Sequence, residues 1–129
     1  MKNEEKVLIV DFGGQYKELI ARRVRECGVL SLIVPHTKSA QEIADMKPIG
    51  LIFTGGPQSA YAPDAPRCDP ALLSLGVPVL GICYGMQLMC HMLGGEVSRC
   101  GSSEYGATRA RLEGSALFSG CGGVSEVLM

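Results

Sequence analysis

Apolar residues along the chain fall either in short unbroken runs or at helical spacing, and the two patterns alternate. The unbroken runs predict four β-strands, at Lys6–Val10, Val29–Val34, Ile49–Phe53 and Val77–Ile82. The helical spacing predicts three helices, at Tyr16–Cys27, Ser39–Met46 and Tyr84–Leu93. A helix remnant is expected at Pro70–Leu75, and short strands are expected at Glu96–Arg99, at Thr108–Leu112 and from Val124 onward.

This alternation of strands and helices predicts an α/β fold with a parallel sheet that helices cover on both faces. Ligands of such sheets bind at the carboxyl ends of the strands. Three loops follow predicted strands, at Asp11–Gln15, Thr54–Ser59 and Ile82–Gln87. We therefore expect these loops to meet at one edge of the sheet and to form the functional site there.

Composition narrows the class of protein. A chain of 129 residues with 47% hydrophobic content can form one domain with a real core. The net charge of −1 gives no electrostatic reason to bind nucleic acid or an anionic membrane. The apolar runs are too short to span a bilayer, and no signal-type segment follows the charged N-terminus, so a cytoplasmic protein is expected.

The six cysteines and two histidines show neither Cys-x-x-Cys spacing nor a zinc pattern. Free thiols in a reducing compartment are therefore expected, and no metal site is predicted. Most of the cysteines are expected to be small hydrophobic residues of the core.

Cys83 is the exception, because it lies in a Gly-x-Cys-x-Gly turn between a predicted strand and a predicted helix. This is the pattern of a nucleophile elbow, in which side chains at Gly81 and Gly85 would collide with neighbouring backbone. The turn places the sulfur at a helix N-terminus, where free N–H groups and the helix dipole favour the thiolate. The alternative is an inert, buried structural cysteine.

A thiolate that attacks a carbonyl carbon creates an oxyanion, which needs hydrogen-bond donors already in place. The backbone N–H of Tyr84, directly after Cys83, is one candidate, and that of Gly56 in the Thr54-Gly55-Gly56-Pro57 loop is the second. Gln87, one helical turn after Cys83, could hold an amide-bearing substrate. The alternatives are a simple turn at the glycines and a solvent-facing glutamine on the helix.

The three loops together resemble the class I (triad) glutamine amidotransferases, and the resemblance covers nearly the whole chain. The residues that carry it are Asp11-Phe12-Gly13-Gly14-Gln15-Tyr16, Thr54-Gly55-Gly56-Pro57 and Gly81-Ile82-Cys83-Tyr84-Gly85-Met86-Gln87. Tyr84-Gly85-Met86 favours the GMP synthase branch over the anthranilate synthase branch, which usually has Leu-Gly-His there. Ser103-Glu104-Tyr105-Gly106 is similar to an Arg-Glu-Tyr-Gly stretch of the same branch, with serine in place of arginine.

The resemblance implies a flavodoxin-like, three-layer fold with a mostly parallel central sheet, of which the C-terminal part is missing. It implies that Cys83 forms a glutamyl thioester, that Gly56 and Tyr84 form the oxyanion hole, and that Gln87 and Gly55 contact glutamine. Ammonia would pass to an ATP-pyrophosphatase (synthetase) domain or subunit that aminates XMP to GMP. ATP and magnesium would belong to that partner, so no cofactor is expected in this domain.

The base histidine and its glutamate lie downstream in that family, and no such stretch precedes Met129. His91 follows Cys83 by eight residues on one helix, roughly 12 Å along its axis, and is expected in the core or capping a contact. His36 is expected to be a loop histidine on an outer strand, remote from the elbow. We therefore expect residues 1–129 to be a partial glutaminase domain without its synthetase part, inactive alone, with apolar sheet surface left uncovered.

The sequence is also compatible with two other functions. The chain could be a non-catalytic module that binds glutamine or a synthetase partner, and the reading frame beyond Met129 would distinguish this from an enzyme. It could also be another cysteine hydrolase or a thiol sensor on the same architecture, which would not need Gly56 and Gln87 arranged for glutamine.

Overall fold

A computed structural model describes residues 5–56, 63–97, 107–111, 117 and 122–128. The strands are β1 (Lys6–Asp11), β2 (Leu30–Pro35), β3 (Gly50–Phe53), β4 (Val79–Gly81), β5 (Ala107–Arg111) and β6 (Val124–Leu128). The α-helices are α1 (Lys17–Glu26), α2 (Ala40–Asp45) and α3 (Tyr84–Met92), and a 3-10 helix spans Pro70–Ser74. All four predicted strands of the first half and all three predicted helices are therefore present, although β4 is shorter than predicted.

The chain divides into two compact units, Met1–Ser98 and Arg99–Met129. In the first unit, four strands form a sheet in the order β2-β1-β3-β4, and every pairing is parallel. In the second, β5 and β6 form an antiparallel pair in which Ala107 is opposite Leu128. The parallel sheet confirms the α/β fold that the alternating pattern predicted.

The core of the first unit lies around β1, whose central residues Leu8, Ile9 and Val10 are at most 1% exposed. Phe53 of β3 and Leu88 of α3 are completely buried beside it. Phe12 joins this core through aromatic contacts, with its ring centroid 5.6 Å from that of Phe53 and 5.4 Å from that of Tyr84. Apolar packing therefore fixes the carboxyl end of the sheet, where the predicted loops begin.

The prediction that helices cover both faces of the sheet is not met at the outer strands, although the central residues of β1 are buried on both faces. Leu32 and Ile33 of β2 and Leu80 of β4 are each more than one third exposed. An apolar groove also runs along α1 and the two strands β3 and β4; it is lined by Leu19, Ile20, Arg23, Val24, Cys27, Ile52, Leu80 and Ile82. The sheet therefore has a substantial exposed apolar surface.

Several local signals in the sequence are confirmed. The Ser39 side chain accepts a hydrogen bond from the Glu42 N–H and caps α2. Gly28 follows α1 with a φ of +82°, as a C′ glycine does. The helix remnant predicted at Pro70–Leu75 is the 3-10 helix, which the Asp69 side chain caps through the Ala71 N–H.

Other expectations need correction. Glu96 and Val97 are not in a strand, so the predicted strand Glu96–Arg99 is wrong in its described part, and residues 98–99 lie outside the described residues. Of the four described cysteines only Cys68 is buried, because Cys27, Cys83 and Cys90 lie on exposed turns or helix faces. The expectation that most cysteines belong to the core is therefore not met among them.

In the parts of the chain that the structure describes, no helix is both long and apolar enough to cross a membrane. The same parts hold no group of three or more His, Cys, Asp or Glu side chains arranged to bind a metal ion.

Candidate functional site

The three predicted loops meet at the carboxyl ends of β1, β3 and β4, as the sequence indicated. They enclose a cavity of about 320 Å³. Its lining is Gly13, Gly14, Gln15, Tyr16, Ile20, Gly55, Gly56, Ile82 and Cys83. Residues 57–59 of the second loop lie outside the described residues. The neighbouring positions of β1, β3 and β4 in the sheet explain why the loops converge.

Cys83 lies on a strained turn between β4 and α3. Its φ of +53° and ψ of −115° are rarely adopted by a residue with a side chain, and the thiol is exposed. Such a backbone costs about 1–3 kcal/mol and persists only where its surroundings impose it. Cys83 is also the N-cap residue of α3. The sequence-based prediction of a nucleophile elbow therefore matches the backbone that the structure shows.

The two glycines of the elbow are required by close packing. A Cβ atom at Gly81 would lie 2.7 Å from the Cα atom of Met86, and one at Gly85 would lie 2.2 Å from the Phe53 carbonyl oxygen. Neither space can admit a methyl group without displacing backbone. The turn can therefore form next to β3 only because both positions are glycine.

Thr54 connects the three strand ends, a role that the sequence analysis missed. Its buried hydroxyl donates to the Val10 carbonyl oxygen at 2.8 Å, which joins the end of β3 to β1. Its own carbonyl accepts the Gly85 N–H at 3.0 Å, which joins the end of β3 to the elbow. A threonine directly after an apolar strand is the signal that could have indicated this buried link.

Gly55 and Gly56 pass very close to the elbow. A Cβ atom at Gly55 would lie 3.6 Å from the Cβ atom of Cys83. At Gly56 a Cβ atom would lie 2.9 Å from the Phe12 carbonyl oxygen and 3.2 Å from Cγ of Tyr84. Glycine at position 56 therefore allows the loop backbone to lie against the aromatic ring and beside the cysteine.

The side chain of Tyr84 belongs to the core rather than to the cavity. It is 2% exposed, its hydroxyl donates a hydrogen bond to the Pro66 carbonyl oxygen, and burial raises its pKa. Only the backbone of Tyr84 is left to act at the site. Its N–H group lies in the first turn of α3, where a helix offers no intrahelical acceptor, and its predicted use as an oxyanion donor stays a prediction.

Gln87 lies one helical turn after Cys83. Its backbone N–H donates to the Cys83 carbonyl oxygen at 3.1 Å, and the residue is partly buried. Gln87 is not among the described residues that line the cavity. Its predicted contact with a substrate therefore stays a prediction.

Neither histidine of the chain is placed at Cys83. The Nδ1 atom of His36 is 2.9 Å from the Arg67 carbonyl oxygen, and its ring stacks on Phe12 at 5.9 Å. His36 follows the edge strand β2, and two strands separate β2 from β4. His91 lies in the last turn of α3 and is exposed, so it does not pack in the core; the alternative expectation, that it caps a contact, stays a prediction.

Asp11 organises the first loop, and the sequence analysis did not single it out. One carboxylate oxygen accepts the Gly13 N–H at 2.7 Å, and the other lies 3.1 Å from Nζ of Lys17. Burial pushes the pKa of Asp11 upward, but the Gly13 N–H and the Lys17 ammonium outweigh it and hold the pKa below its usual value. Asp11 is therefore ionised and bound at both oxygens at neutral pH.

Comparison with known proteins agrees with this geometry. Residues 8–129 match the family "Glutamine amidotransferase class-I". The chain belongs to the class I glutamine amidotransferase family. The predicted resemblance and fold are thereby confirmed, although Ser103–Gly106, part of the predicted likeness, lies outside the described residues.

Individual relatives point to one branch of the family. The chain is 52% identical over 118 residues to a GMP synthase [glutamine-hydrolyzing] of Corynebacterium efficiens, and 54% identical over 123 residues to that of Mycolicibacterium paratuberculosis. The matches cover 92% and 95% of this chain but only 23% of each relative, so the chain spans about a quarter of their length.

A solved structure shows the same fold. The crystal structure of a protein assigned as one of the GMP synthase subunits of Thermoplasma acidophilum superposes with a TM-score of 0.77 at 25% sequence identity. The match covers 99% of this chain and 65% of the other.

Proposed function

We propose that the cavity binds glutamine and that Cys83 attacks the carbon of its side-chain amide. The observation that carries this proposal is the strained, exposed Cys83 at the N-terminus of α3, facing a cavity that the glycine loops of β1 and β3 complete. A nucleophile held at a helix N-terminus beside backbone N–H donors suits acyl transfer.

The chemistry takes two steps. The Cys83 sulfur forms a C–S bond to the amide carbon while the carbonyl π electrons move to oxygen. The intermediate then collapses, the C–N bond breaks, and ammonia leaves with a proton taken from a general acid or from solvent. Water afterwards attacks the glutamyl thioester, which yields glutamate and the free thiol.

The N–H groups of Gly56 and Tyr84 are the proposed oxyanion donors. Support comes from the contact between Gly56 and the Tyr84 ring, which keeps these two residues side by side. Gly55, adjacent to Cys83, and Gln87, one turn further along α3, are the proposed substrate contacts. Loss of one such donor typically lowers acylation about 100- to 1,000-fold.

The partner and pathway are proposed from the relatives. Because these are GMP synthases of the glutamine-hydrolysing kind, we propose that ammonia passes to an ATP-pyrophosphatase domain or subunit, which aminates XMP to GMP. ATP and magnesium would bind there, this domain would need no cofactor, and the protein would act in the cytoplasm.

Neither histidine can serve as the base at Cys83, so the 129-residue chain should acylate slowly and show no steady-state glutaminase activity. A chloromethyl ketone analogue of glutamine tests the nucleophile directly, because its thiolate substitution expels chloride and needs no proton donor. Peptide mass spectrometry should find the adduct at Cys83, and free glutamine should protect against it.

The matched control for this labelling is Cys90, another exposed cysteine of α3. Modification of Cys83 and Cys90 at equal rates, with no protection by glutamine, would refute the proposal. Cys83→Ala should abolish the protected adduct and leave labelling of Cys90 unchanged.

A non-catalytic glutamine-binding module is the second candidate, because the cavity is formed within the described residues while neither histidine lies at Cys83. Acid quenching after incubation with glutamine separates the two functions. A glutamyl adduct on Cys83 supports the enzyme, whereas saturable glutamine binding without adduct or chloromethyl ketone labelling supports the module.

A further inference from the structure

The peptide bond between Gly55 and Gly56 carries the proposed oxyanion donor of the β3 loop, yet it lies between two glycines. Glycine has the widest backbone freedom of any residue, so this peptide can rotate unless something outside it prevents rotation. An oxyanion donor is effective only if it already points at the developing charge. The contacts on this peptide therefore decide how well it can act.

Gly14 of the first loop packs directly on that peptide. A Cβ atom at Gly14 would lie 2.4 Å from the Gly55 carbonyl oxygen, 2.8 Å from the Gly55 carbonyl carbon and 3.3 Å from the Gly56 nitrogen. Three atoms of one peptide plane thus lie within 3.3 Å of the position that a Cβ atom would take at Gly14. A side chain at position 14 would have to displace the peptide.

The position of Gly14 is in turn fixed from both sides of the loop. On one side, the Asp11 carboxylate accepts the Gly13 N–H at 2.7 Å. On the other, the same carboxylate pairs at 3.1 Å with Lys17, the first residue of α1. Both partners of this ion pair are partly buried, since the side chains of Lys17 and Asp11 are 30% and 27% exposed. Such partial burial strengthens the pair relative to one on the open surface.

We propose that Asp11 and Gly14 are positioning residues that set the orientation of the Gly55–Gly56 peptide, through the loop that Asp11 ties to Lys17. The inference rests on the proposed function, because orientation matters only if the Gly56 N–H stabilises an oxyanion. The first loop would then control how fast the cysteine reacts with a carbonyl substrate, without touching the sulfur.

Two reagents distinguish an effect on the orientation of the Gly55–Gly56 peptide from a general effect on the reactivity of the Cys83 thiol. The chloromethyl ketone analogue of glutamine has a carbonyl group that the oxyanion donors polarise. An aromatic disulfide exchanges with the thiolate and has no carbonyl. The rate constant of each reaction at Cys83, followed by peptide mass spectrometry, is measured together with the urea unfolding midpoint.

Gly14→Ala should lower the limiting rate of ketone inactivation by about 10- to 100-fold, with little change in the half-saturating concentration. Disulfide exchange at Cys83 should stay within about twofold of the wild-type rate, since it needs no oxyanion donor. Gly50→Ala is the matched control, because a Cβ atom there would lie an ordinary 3.6 Å from its nearest neighbour, the Pro78 carbonyl oxygen.

Asp11→Ala keeps the proposal testable if Gly14→Ala does not fold. It should lower the ketone rate by about tenfold and spare disulfide exchange. Asp11→Asn retains an oxygen that can accept the Gly13 N–H but loses the ion pair with Lys17, so it should recover only part of the lost rate. Equal loss in both reactions would show a merely structural role and would overturn the proposal.

The experiment distinguishes failure of the positioning role from failure of the proposed function. If the ketone modifies wild-type Cys83 and Gly14→Ala at the same rate, the positioning role is wrong and the proposed function stands. If the ketone does not modify wild-type Cys83 while the disulfide does, the proposed function is wrong, and the positioning role is refuted with it.

Discussion

Phe53 leaves no room for a side chain at Gly85, because a Cβ atom at position 85 would lie only 2.2 Å from the Phe53 carbonyl oxygen. The same region holds a hydrogen bond from the Gly85 N–H to the Thr54 carbonyl oxygen at 3.0 Å. The end of β3 and the start of α3 therefore touch through their backbones. This contact fixes the turn on which Cys83 lies.

Gly85→Ala should destabilise the protein by about 3 kcal/mol or more, because the new methyl group meets backbone that cannot move aside. Urea unfolding followed by circular dichroism measures the loss. Gly28→Ala is the control: it has the positive φ of +82° but nothing within 4 Å of the added Cβ atom, so it should cost only about 1–2 kcal/mol. Equal costs for both variants would show that the contact with Phe53 is unimportant.

Cys83→Gly should make the protein more stable while removing the proposed nucleophile. The φ of +53° at Cys83 carries strain of about 1–3 kcal/mol, which glycine relieves at an entropic cost of about 0.5–1 kcal/mol. We expect a net gain of about 1 kcal/mol in the free energy of unfolding. Cys83→Ala keeps the strained backbone and should show no gain, so identical urea midpoints for the two variants would argue against strain at this residue.

Asp69 should make part of the stability dependent on pH. Its carboxylate accepts the Ala40 N–H at 2.9 Å and the Ala71 N–H at 3.0 Å, and these bonds hold its pKa below the usual value of 3.8. A depressed folded-state pKa gives stability that is complete above the unfolded pKa and is lost as the pH falls through the folded pKa. The wild-type protein should therefore lose this contribution below about pH 4.

The measurement compares urea midpoints of the wild type and Asp69→Asn at pH 6 and pH 3. The wild type should be the more stable at pH 6, and the difference should narrow at pH 3. Asp45→Asn, which removes a carboxylate that accepts from the Gln41 side chain, controls for the loss of one charge near α2. A difference that stays constant with pH would contradict the assignment to Asp69.

Cys68 should be the slowest of the described thiols to react. Burial raises its pKa to about 11, and the nearby Asp69 carboxylate adds to this effect, so about one thiol in a thousand is ionised at pH 8. Reaction with an aromatic disulfide at pH 8, followed by peptide mapping, should modify Cys27, Cys83 and Cys90 first. Fast modification of Cys68 in the folded protein would mean that its surroundings open readily, and prior unfolding in urea should remove the difference.

Much of the fold could be predicted from the sequence because β1, β3 and α3 each carry an unambiguous pattern. Leu8, Ile9 and Val10 are consecutive and all buried, as an unbroken apolar run in a parallel sheet should be. The rule that an unbroken apolar run is buried failed for β2, because such a run does not show whether its strand will lie at the edge of the sheet. Leu32 and Ile33 lie in such an edge strand and are partly exposed.

The candidate site was predictable where its chemistry is local and was missed where it depends on contacts distant in sequence. Gly81, Cys83 and Gly85 lie within five residues, so their spacing alone predicted the elbow. The packing of Gly14 on Gly55 joins residues about forty positions apart, and no local pattern indicates it. Asp11 was missed for a different reason: its partners Gly13 and Lys17 are close in sequence, but only the folded loop brings both to one carboxylate.

The position of β4 has a consequence for how the site could be lost. This strand has only three residues, and within the described residues it pairs with β3 alone, whereas β1 is paired on both sides. Elements with few neighbours open at lower free energy than the core that supports them. Detachment of β4 would carry Cys83 away from Gly55 while β1 and β2 stay paired. The candidate site can thus be lost through local opening of one edge strand, before the molecule unfolds as a whole.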